Sequence, residues 1–169
     1  NVGQTGAAFS VSHQVNQQTH LFANGAYNQK SGKRYPQGVN DPLQSVYFEA
    51  GVDINKLALR ARYNQVELNE FLNLGGYSDS NQHRSENTFL SVGYDWLETD
   101  TRTLATKIAY AHHQIQSAGL IAPAVALPNA SYDFFIGPDW HTTDLTVSVE
   151  ASQQFNNGWT INSGLQYSH

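Results

Sequence analysis

Hydrophobic and polar residues alternate one by one along most of the chain, whereas helical spacing is almost absent. The clearest stretch runs from Ser45 to Ile54, where every second residue is apolar. A period of two places the apolar residues on one face of a β-strand. Seven further segments alternate in the same way, so the pattern predicts at least eight strands. These segments are 7–16, 20–29, 57–64, 90–96, 104–110, 145–151 and 159–167.

The connections between these segments alternate between short and long. Short turns are predicted at 17–19, 55–56, 99–101 and 156–158, each with the two or three residues expected of a tight hairpin. Long connections are predicted at 31–44, 72–87 and about 117–143. The sequence therefore predicts an antiparallel up-and-down meander, with tight turns at one end and long loops at the other.

The predicted turns also fix which residues face each other across neighbouring strands. A two-residue turn at 55–56 pairs apolar residues with apolar residues and places Glu49 opposite Arg62. Asp53 then lies diagonal to Arg60, so acid meets base on the other face. The turn at 156–158 gives an equally good match, pairing Phe155 with Trp159, Val149 with Leu165 and Val147 with Tyr167. A slip by one residue would mix the two faces, so we expect this register.

Composition narrows the class of protein. Only 14% of the 169 residues are charged, whereas a typical soluble domain has roughly 25%. The polar face consists mainly of Ser, Asn, Gly, Gln and Thr, and it lacks the dense Lys and Glu of soluble sheets. The net charge of −5 makes nucleic acid an unsuitable partner. Without Cys the chain has neither disulfides nor thiolate metal sites, and no apolar run is long enough for a transmembrane helix.

Aromatic residues cluster toward the strand ends on the apolar face, as they do at the two surfaces of a membrane β-barrel. They are Tyr27, Tyr63, Tyr94, Trp96, Tyr110, Trp159 and Tyr167. The pattern favours a single-domain antiparallel transmembrane β-barrel over 1–169, with its apolar face in contact with the lipid bilayer. A soluble lipocalin-like barrel, with that face inside, is the alternative. The residues expected to line the lumen are Glu49, Asp53, Arg60, Arg62, Asp95, Lys107 and Glu150.

The last segment, 162–169, resembles the C-terminal signal strand of bacterial outer-membrane β-barrel proteins. Asn162, Gly164 and Tyr167 match that pattern, whereas His169 stands where Phe or Trp is usual. The resemblance implies residence in the outer membrane of a Gram-negative bacterium. It also implies contact with lipopolysaccharide and insertion by the barrel assembly machinery.

Whether the number of strands is odd or even determines whether the two ends of the chain lie on the same side of the membrane. If the tight turns face the periplasm, the first strand begins outside. A periplasmic His169 then requires an additional strand, for which Ser131 to Ile136 is the candidate. We therefore expect at least one strand before Asn1, so that the chain is part of a larger barrel or is completed by another chain. Eight strands with an unusual orientation are the alternative. An eight-stranded barrel is filled by its own side chains, whereas ten or more strands leave room for a channel.

Three functions fit this fold. The first is a pore or export channel for small polar solutes or polymers. The second is a non-conducting surface barrel whose long loops bind envelope or host partners. The third is a lipid hydrolase at the barrel rim, which would use His113 with Ser117, or Asp139 with His141, as its catalytic residues. The chain lacks the His-x-Ser-Asn motif of lipid A deacylation, so no catalytic residue is assigned.

Metal and cofactor sites find little support among the seven His residues. His112 and His113 are adjacent on a predicted strand and point to opposite faces, so they cannot bind one ion together. No metal and no cofactor are therefore predicted.

Two segments of the long loops are further candidates. Lys30, Lys33, Arg34 and Tyr35 form a small basic and aromatic patch that would suit lipopolysaccharide phosphates or a surface partner, but a solvated loop without a ligand is the preferred interpretation. The segment from Leu120 to Leu127 is unusually apolar for an exposed loop and could fold into the lumen or contact a partner, but neither alternative is preferred from the sequence.

Overall fold

The computed structural model describes residues 3–32, 42–126 and 128–169, and most of them lie in one antiparallel sheet. A short 3₁₀ turn, Ala124–Ala126, follows the longest strand. The strands are β1 (Gln4–Asn16), β2 (Thr19–Lys30), β3 (Leu43–Ile54), β4 (Leu57–Asn69), β5 (Leu72–Asn73), β6 (Gly76–Tyr77), β7 (Gln82–Glu98), β8 (Arg102–Ala122), β9 (Phe134–Ile136), β10 (Asp139–Gln154) and β11 (Thr160–Ser168).

The long strands are neighbours in chain order, β1-β2-β3-β4-β7-β8-β10-β11, and β9 pairs with the end of β8. This antiparallel meander confirms the predicted all-β class. β1 and β11 form the two edges of the sheet and do not pair with each other within the described residues. The sheet is therefore open, and the prediction of a barrel closed by this chain alone is not met.

The hairpin register agrees with the sequence. Ile54 pairs with Leu57, and Glu49 pairs with Arg62 across β3 and β4. Asn55, the first turn residue, has a φ of 55°, which Asn tolerates better than most residues. In the last hairpin the pairs Val149–Leu165 and Val147–Tyr167 form, and the amide of Phe155 donates to the carbonyl of Trp159 at 2.8 Å. Both predicted registers are confirmed.

The tight turns all lie at one end of the sheet, which we call the turn end, and the long connections lie at the other, the loop end. β7, β8 and β10 extend further toward the loop end than alternation predicts. The additional residues of β7 and β10 are mostly polar on both faces, and those of β8 mix polar with small and apolar residues, so these segments pair as strands without an alternating pattern. β11 runs from the turn end to the loop end, and β1 begins at the loop end.

The predicted additional strand at Ser131 to Ile136 forms only in part. β9 has three residues and pairs with the end of β8, whereas a strand that crosses a bilayer needs about 9–11. It does not separate β8 from β10, which pair directly along 15 residue pairs. The long strands that run the length of the sheet therefore number eight.

A connection at the loop end, residues 70–81, folds back onto β8. The side chain of Asn81 is fully buried; its amide donates to the carbonyl of Phe71 at 2.5 Å and its oxygen accepts from the amide of Leu120 at 2.7 Å. The amide of Gly75 donates to the carbonyl of Leu120 at 2.9 Å. A Cβ on Gly75 would lie 2.3 Å from the carbonyl carbon of Ile121, so only Gly fits this approach.

The sheet buries almost no hydrophobic core. Among the described residues, Leu120 is the one buried apolar side chain, and most other large apolar residues are exposed on the sheet. No helix in the described part of the chain is long and apolar enough to cross a membrane.

Candidate functional site

One face of the sheet carries a continuous strip of apolar side chains, which we call the apolar band. Antiparallel partners lie on the same face, so the register assigns each residue to a face. Many members are strongly exposed, for example Phe48 (42%), Leu90 (47%) and Ile108 (48%). The band comprises Phe9, Val11, Leu21, Ala23, Tyr27, Val46, Phe48, Ala50, Val52, Ile54, Leu57, Leu59, Ala61, Tyr63, Leu90, Val92, Tyr94, Leu104, Ile108, Tyr110, Leu145, Val147, Val149, Ala151, Ile161, Leu165 and Tyr167.

The loop-end limit of the apolar band is marked by four tyrosines that descend across the sheet in regular steps. Tyr27 on β2 shares its row of paired residues with Gln65 on β4, so Tyr63 lies one row lower. Tyr63 in turn shares its row with His112 on β8, so Tyr110 lies one row lower again. Through Leu145, Tyr110 aligns with His169, which places Tyr167 one further row down.

These steps define an angle between the band and the strands. Each row is two residues along a strand and each step crosses two strands, so the limit shifts by one residue per strand. With a rise of about 3.3 Å per residue and strands about 4.8 Å apart, that shift corresponds to a tilt of about 35°. Strands of β-barrels are tilted by about 35–45° from the barrel axis.

The predicted aromatic residues lie at the two limits of the band. Tyr94, Trp96 and Trp159 lie near the turn end, where the indole of Trp96 donates to Oγ1 of Thr106 at 2.9 Å. At the loop-end limit, the hydroxyls of Tyr27 and Tyr63 donate to the amide oxygens of Gln29 at 3.0 Å and Gln65 at 2.9 Å. These hydroxyls therefore point out of the band, with the rings inside it.

Beyond the tyrosines the same face becomes polar, and we call this region the polar collar. Asn69 donates to Glu67 at 2.8 Å, and Arg84 forms an ion pair with Glu86. Nδ1 of His112 lies 3.1 Å from Oγ1 of Thr143. The collar consists of Gln65, Glu67, Asn69, Gln82, Arg84, Glu86, Thr88, His112, Gln114, Gln116, Asp139, His141 and Thr143.

The opposite face, which we call the polar face, carries all the charged residues that the sequence assigned to a lumen. Nη2 of Arg60 donates to Oδ1 of Asp53 at 2.6 Å, as their diagonal positions predict. His20 lies 3.6 Å from the other oxygen of Asp53. The seven residues placed on this face are Glu49, Asp53, Arg60, Arg62, Asp95, Lys107 and Glu150.

The expected pairing of Glu49 with Arg62 is only positional. The two residues are opposite each other, but Oε2 of Glu49 accepts the hydroxyl of Tyr47 at 2.7 Å. The guanidinium carbon of Arg62 instead lies 5.2 Å from the ring centroid of Phe89. The expected ion pairing of strand charges therefore holds for Asp53 and Arg60. It does not hold for Arg62, because the guanidinium of Arg62 contacts the ring of Phe89 instead of a carboxylate.

Two aromatic residues on the polar face were missed by the sequence analysis. Phe89 lies under Arg62 and Lys107, and Phe22 lies under Arg60 at 5.1 Å. Both rings are out of phase with the apolar alternation of their strands. That phase, together with an Arg in the same row of paired residues, was the signal available in the sequence.

The residues considered for a rim hydrolase are not arranged for catalysis. His113 contacts Asn87 and Trp140, and it lies four residues from Ser117, or about 13 Å along the strand. Ser117 lines a cleft of about 330 Å³ together with His83 and Asp139. Its hydroxyl donates to the carbonyl of Gln82 at 3.3 Å, and Asp139, paired with Gln116, lies on the other face of the sheet.

The His residues of the described chain are not brought together as a metal site. His112 and His113 lie on opposite faces, and the ring of His112 is 6.1 Å from that of His141. Within the residues that the structure describes, no group of three His, Asp or Glu side chains is placed to hold a metal ion.

The loop end carries exposed apolar and aromatic side chains. Leu74 (91%) projects from the connection 70–81, and Val125 (94%) and Tyr132 (77%) project from the connection between β8 and β9. Leu120, in contrast, is buried, so the apolar segment 120–127 is only partly exposed; its last residue lies outside the described part. Of the basic and aromatic patch, Lys30 ends β2, and the other three residues lie outside the described residues.

Tyr77 is the titratable group at the loop end whose environment is most distinctive. Its half-buried position raises the pKa of the phenol above the ordinary value of 10.0, and the nearby carboxylates of Glu70 and Asp79 raise it further. Its hydroxyl donates to Oε2 of Glu70 at 3.5 Å.

No protein-family model, no curated protein and no solved structure matches this chain.

Proposed function

We propose that this chain forms the wall, or part of the wall, of an outer-membrane β-barrel whose polar face lines a water-filled pore for small polar solutes. The observation that carries the proposal is the slanted apolar band. A band that crosses tilted strands at a constant angle becomes a level belt when the sheet curls into a barrel. Lipid would cover this belt, and the Tyr and Trp residues at its two limits would lie at the bilayer surfaces.

The exposure of the apolar residues supports lipid as their partner. A soluble domain of this length buries roughly two thirds of its surface on folding, yet Leu120 is the one buried apolar side chain in the described residues. The long strands contain from 9 residues in β11 to 21 in β8, which is enough to cross a bilayer. The charged groups on the other face, such as Arg60 and Asp53, would face water in the lumen.

The two free edges require a partner under this proposal. In hydrocarbon, every backbone N–H and C=O must be hydrogen-bonded within the protein, so an open sheet edge cannot face lipid. β1 and β11 are the first and last of eight alternating strands and are antiparallel to each other. They could therefore pair directly, or with further strands of the same protein or of another chain. A pore requires the second route, because eight strands enclose little more than their own side chains.

The orientation follows from the lengths of the connections. With the long loops outside and the tight turns in the periplasm, the polar collar would face lipopolysaccharide, where Arg84 and His112 can meet phosphate and sugar groups. β11 would then end outside, opposite to the periplasmic end implied by the signal-strand resemblance. The proposal therefore assigns no assembly signal to His169.

A second candidate function is a surface barrel whose loops bind an envelope or host partner. The observation that favours it is the exposure of Leu74, Val125 and Tyr132 at the loop end. If the sheet closes on itself with eight strands, this function is preferred over the pore.

Tryptophan quenching by brominated lipid tests the membrane placement. The chain has three Trp: Trp96 and Trp159 lie at the turn-end limit of the band, and Trp140 lies on the polar face. We expect brominated acyl chains to quench the wild-type protein and the Trp140→Phe variant alike. The Trp96→Phe/Trp159→Phe double variant is expected to lose most of the quenching. Quenching carried by Trp140 instead would contradict the proposal, and the absence of quenching at all three Trp would favour the soluble barrel.

Single-channel recording then separates the two membrane functions. The full-length protein, refolded and inserted in a planar bilayer, is expected to give discrete openings. A folded protein, identified by heat-modifiable migration on a detergent gel, that inserts without openings would favour the surface barrel.

A further inference from the structure

Two cations on the polar face share one aromatic ring. The guanidinium carbon of Arg62, on β4, lies 5.2 Å from the centroid of Phe89, and Nζ of Lys107, on β8, lies 5.7 Å from the same centroid. Phe89 belongs to β7, the strand between them. Both distances are within the range of a cation–π contact. Each cation lies within 6 Å of the same ring centroid, so an anion bound at this ring would be attracted by both charges.

Neither cation is neutralised by an acid of the described chain, although acids are close by. Glu49 is opposite Arg62, but its carboxylate accepts the hydroxyl of Tyr47. Lys107 is opposite Gly93 and Ser148, so Asp95 and Glu150 are its diagonal neighbours. The ammonium group is nevertheless directed at Phe89, and it forms no ion pair with either of them.

Arg60 provides an internal comparison, because it lies two residues from Arg62 on the same face of β4. Its guanidinium also contacts a ring, that of Phe22 at 5.1 Å, but it is neutralised by Asp53 at 2.6 Å. Arg60 therefore has an ion-pair partner, whereas Arg62 and Lys107 form no ion pair among the described residues.

We propose that Arg62 and Lys107 form a binding site for the phosphate group of a small solute. A guanidinium binds two phosphate oxygens at once, and an ammonium group adds a point charge beside it. The residues opposite Phe89 and one row away on β8 are Ala111 and Ala109, which have small side chains. The inference deepens the proposed pore function and rests on it for the route by which a solute reaches the polar face.

Calorimetric titration of the refolded, full-length protein with inorganic phosphate, in a non-ionic detergent, tests the site. We expect one phosphate to bind per chain. Arg62→Gln and Lys107→Gln are each expected to weaken binding about tenfold or more, which is the loss for one charge-assisted hydrogen bond. Arg62→Lys keeps the charge but loses the bidentate geometry, so an intermediate loss is expected.

Arg60→Gln is the matched control, since it removes a cation that already has a partner, and Lys56→Gln removes one at a tight turn. Both are expected to stay within about twofold of the wild type. The proposal is overturned if Arg62→Gln weakens phosphate binding no more than Arg60→Gln, or if the wild type binds no phosphate. Acetate is titrated in parallel, and equal affinity for acetate would overturn the assignment to phosphate. Heat-modifiable migration establishes that each variant is folded.

The titration does not depend on conductance, so the two proposals fail separately. Phosphate binding that is lost in Arg62→Gln, in a protein that gives no channel openings, supports the phosphate site and contradicts the pore. Discrete channel openings without phosphate binding support the pore and overturn the site. Phosphate titration of the protein in vesicles with and without phosphatidylglycerol distinguishes a free phosphate from a lipid headgroup as the ligand. We expect the same phosphate affinity in both kinds of vesicle. A weaker phosphate affinity only in the vesicles that contain phosphatidylglycerol would assign the site to a lipid headgroup.

Discussion

Tyr110 lies one paired row nearer the turn end than Tyr63, although both mark the same limit of the apolar band. Within one row, therefore, side chains on different strands differ in chemical character: Tyr27 is aromatic, and Gln65 and Gln114 in its row belong to the polar collar. In the proposed barrel, the tilt of the strands would explain this difference. Points along a row differ in depth by about 5 Å for every two strands when the tilt is about 35°.

Spin labels test that geometry directly. The chain has no Cys, so single Cys substitutions can be labelled without further changes. In lipid vesicles, labels at Tyr27, Tyr63, Tyr110 and Tyr167 are expected to report the same depth from their relative access to oxygen and a water-soluble nickel complex. Labels at Gln65 and Gln114, row-mates of Tyr27, are expected to be progressively more exposed to water. Equal depth within a row would show that the strands are not tilted.

The apolar band also has an energetic signature. Ile108 lies within the band, and Gln114 lies on the same strand and face in the polar collar. Ile108→Lys is expected to lower the free energy of unfolding in vesicles by about 2–4 kcal/mol, whereas Gln114→Lys is expected to change it by no more than about 1 kcal/mol. Urea titration of the refolded proteins measures both. Equal effects of the two substitutions would argue against a depth-dependent environment.

The part of the fold that could be predicted from the sequence is the part governed by alternation. Because a period of two divides residues between two faces, the pairs Glu49–Arg62 and Val149–Leu165 and the faces of all seven strand charges follow from turn positions alone. The loop-end limits of β7, β8 and β10 could not be predicted from alternation. There, residues such as Ser85, Glu86 and Gln116 are polar on both faces, so alternation disappears while pairing continues.

The candidate site was harder to predict than the fold. Register places Arg62 opposite Glu49, and the ion pair was the natural expectation. The choice between that carboxylate and the ring of Phe89 depends on side-chain conformation, which position along a strand does not determine. The closure of the sheet also lies beyond alternation, since β1 and β11 have suitable directions for pairing but remain edges.

Asn81 is expected to hold the connection 70–81 on the end of β8. Asn81→Ala would leave the buried amide of Leu120 and the carbonyl of Phe71 without partners, at a cost of about 1–3 kcal/mol. Hydrogen exchange at the Leu120 amide is expected to accelerate, and the free energy of unfolding to fall. The exposed Ser80→Ala serves as the control and is expected to leave both quantities unchanged. Unaltered exchange in Asn81→Ala would mean that other contacts hold the connection.

Tyr77 gives the same connection a dependence on alkaline pH. Because its folded pKa is raised above the unfolded value of 10.0, the folded state retains the phenol proton over a range where the unfolded state loses it. Its stabilising contribution is therefore complete below pH 10 and is lost as the pH rises through the folded pKa. Absorbance at 295 nm is expected to show one late-titrating tyrosine fewer in Tyr77→Phe than in the wild type. Identical titration curves for the two proteins would contradict this environment.

Under the proposed membrane placement, labelling of cells determines on which side of the membrane the long loops lie. Asp79→Cys places a thiol in the connection 70–81 at the loop end, and Asn157→Cys places one in the tight turn between β10 and β11. With the long loops outside, a membrane-impermeant maleimide is expected to label intact cells carrying Asp79→Cys. Asn157→Cys is expected to react only after the outer membrane is permeabilised. The reverse result would place His169 in the periplasm, in agreement with the signal-strand resemblance, and would turn the polar collar toward the periplasmic leaflet.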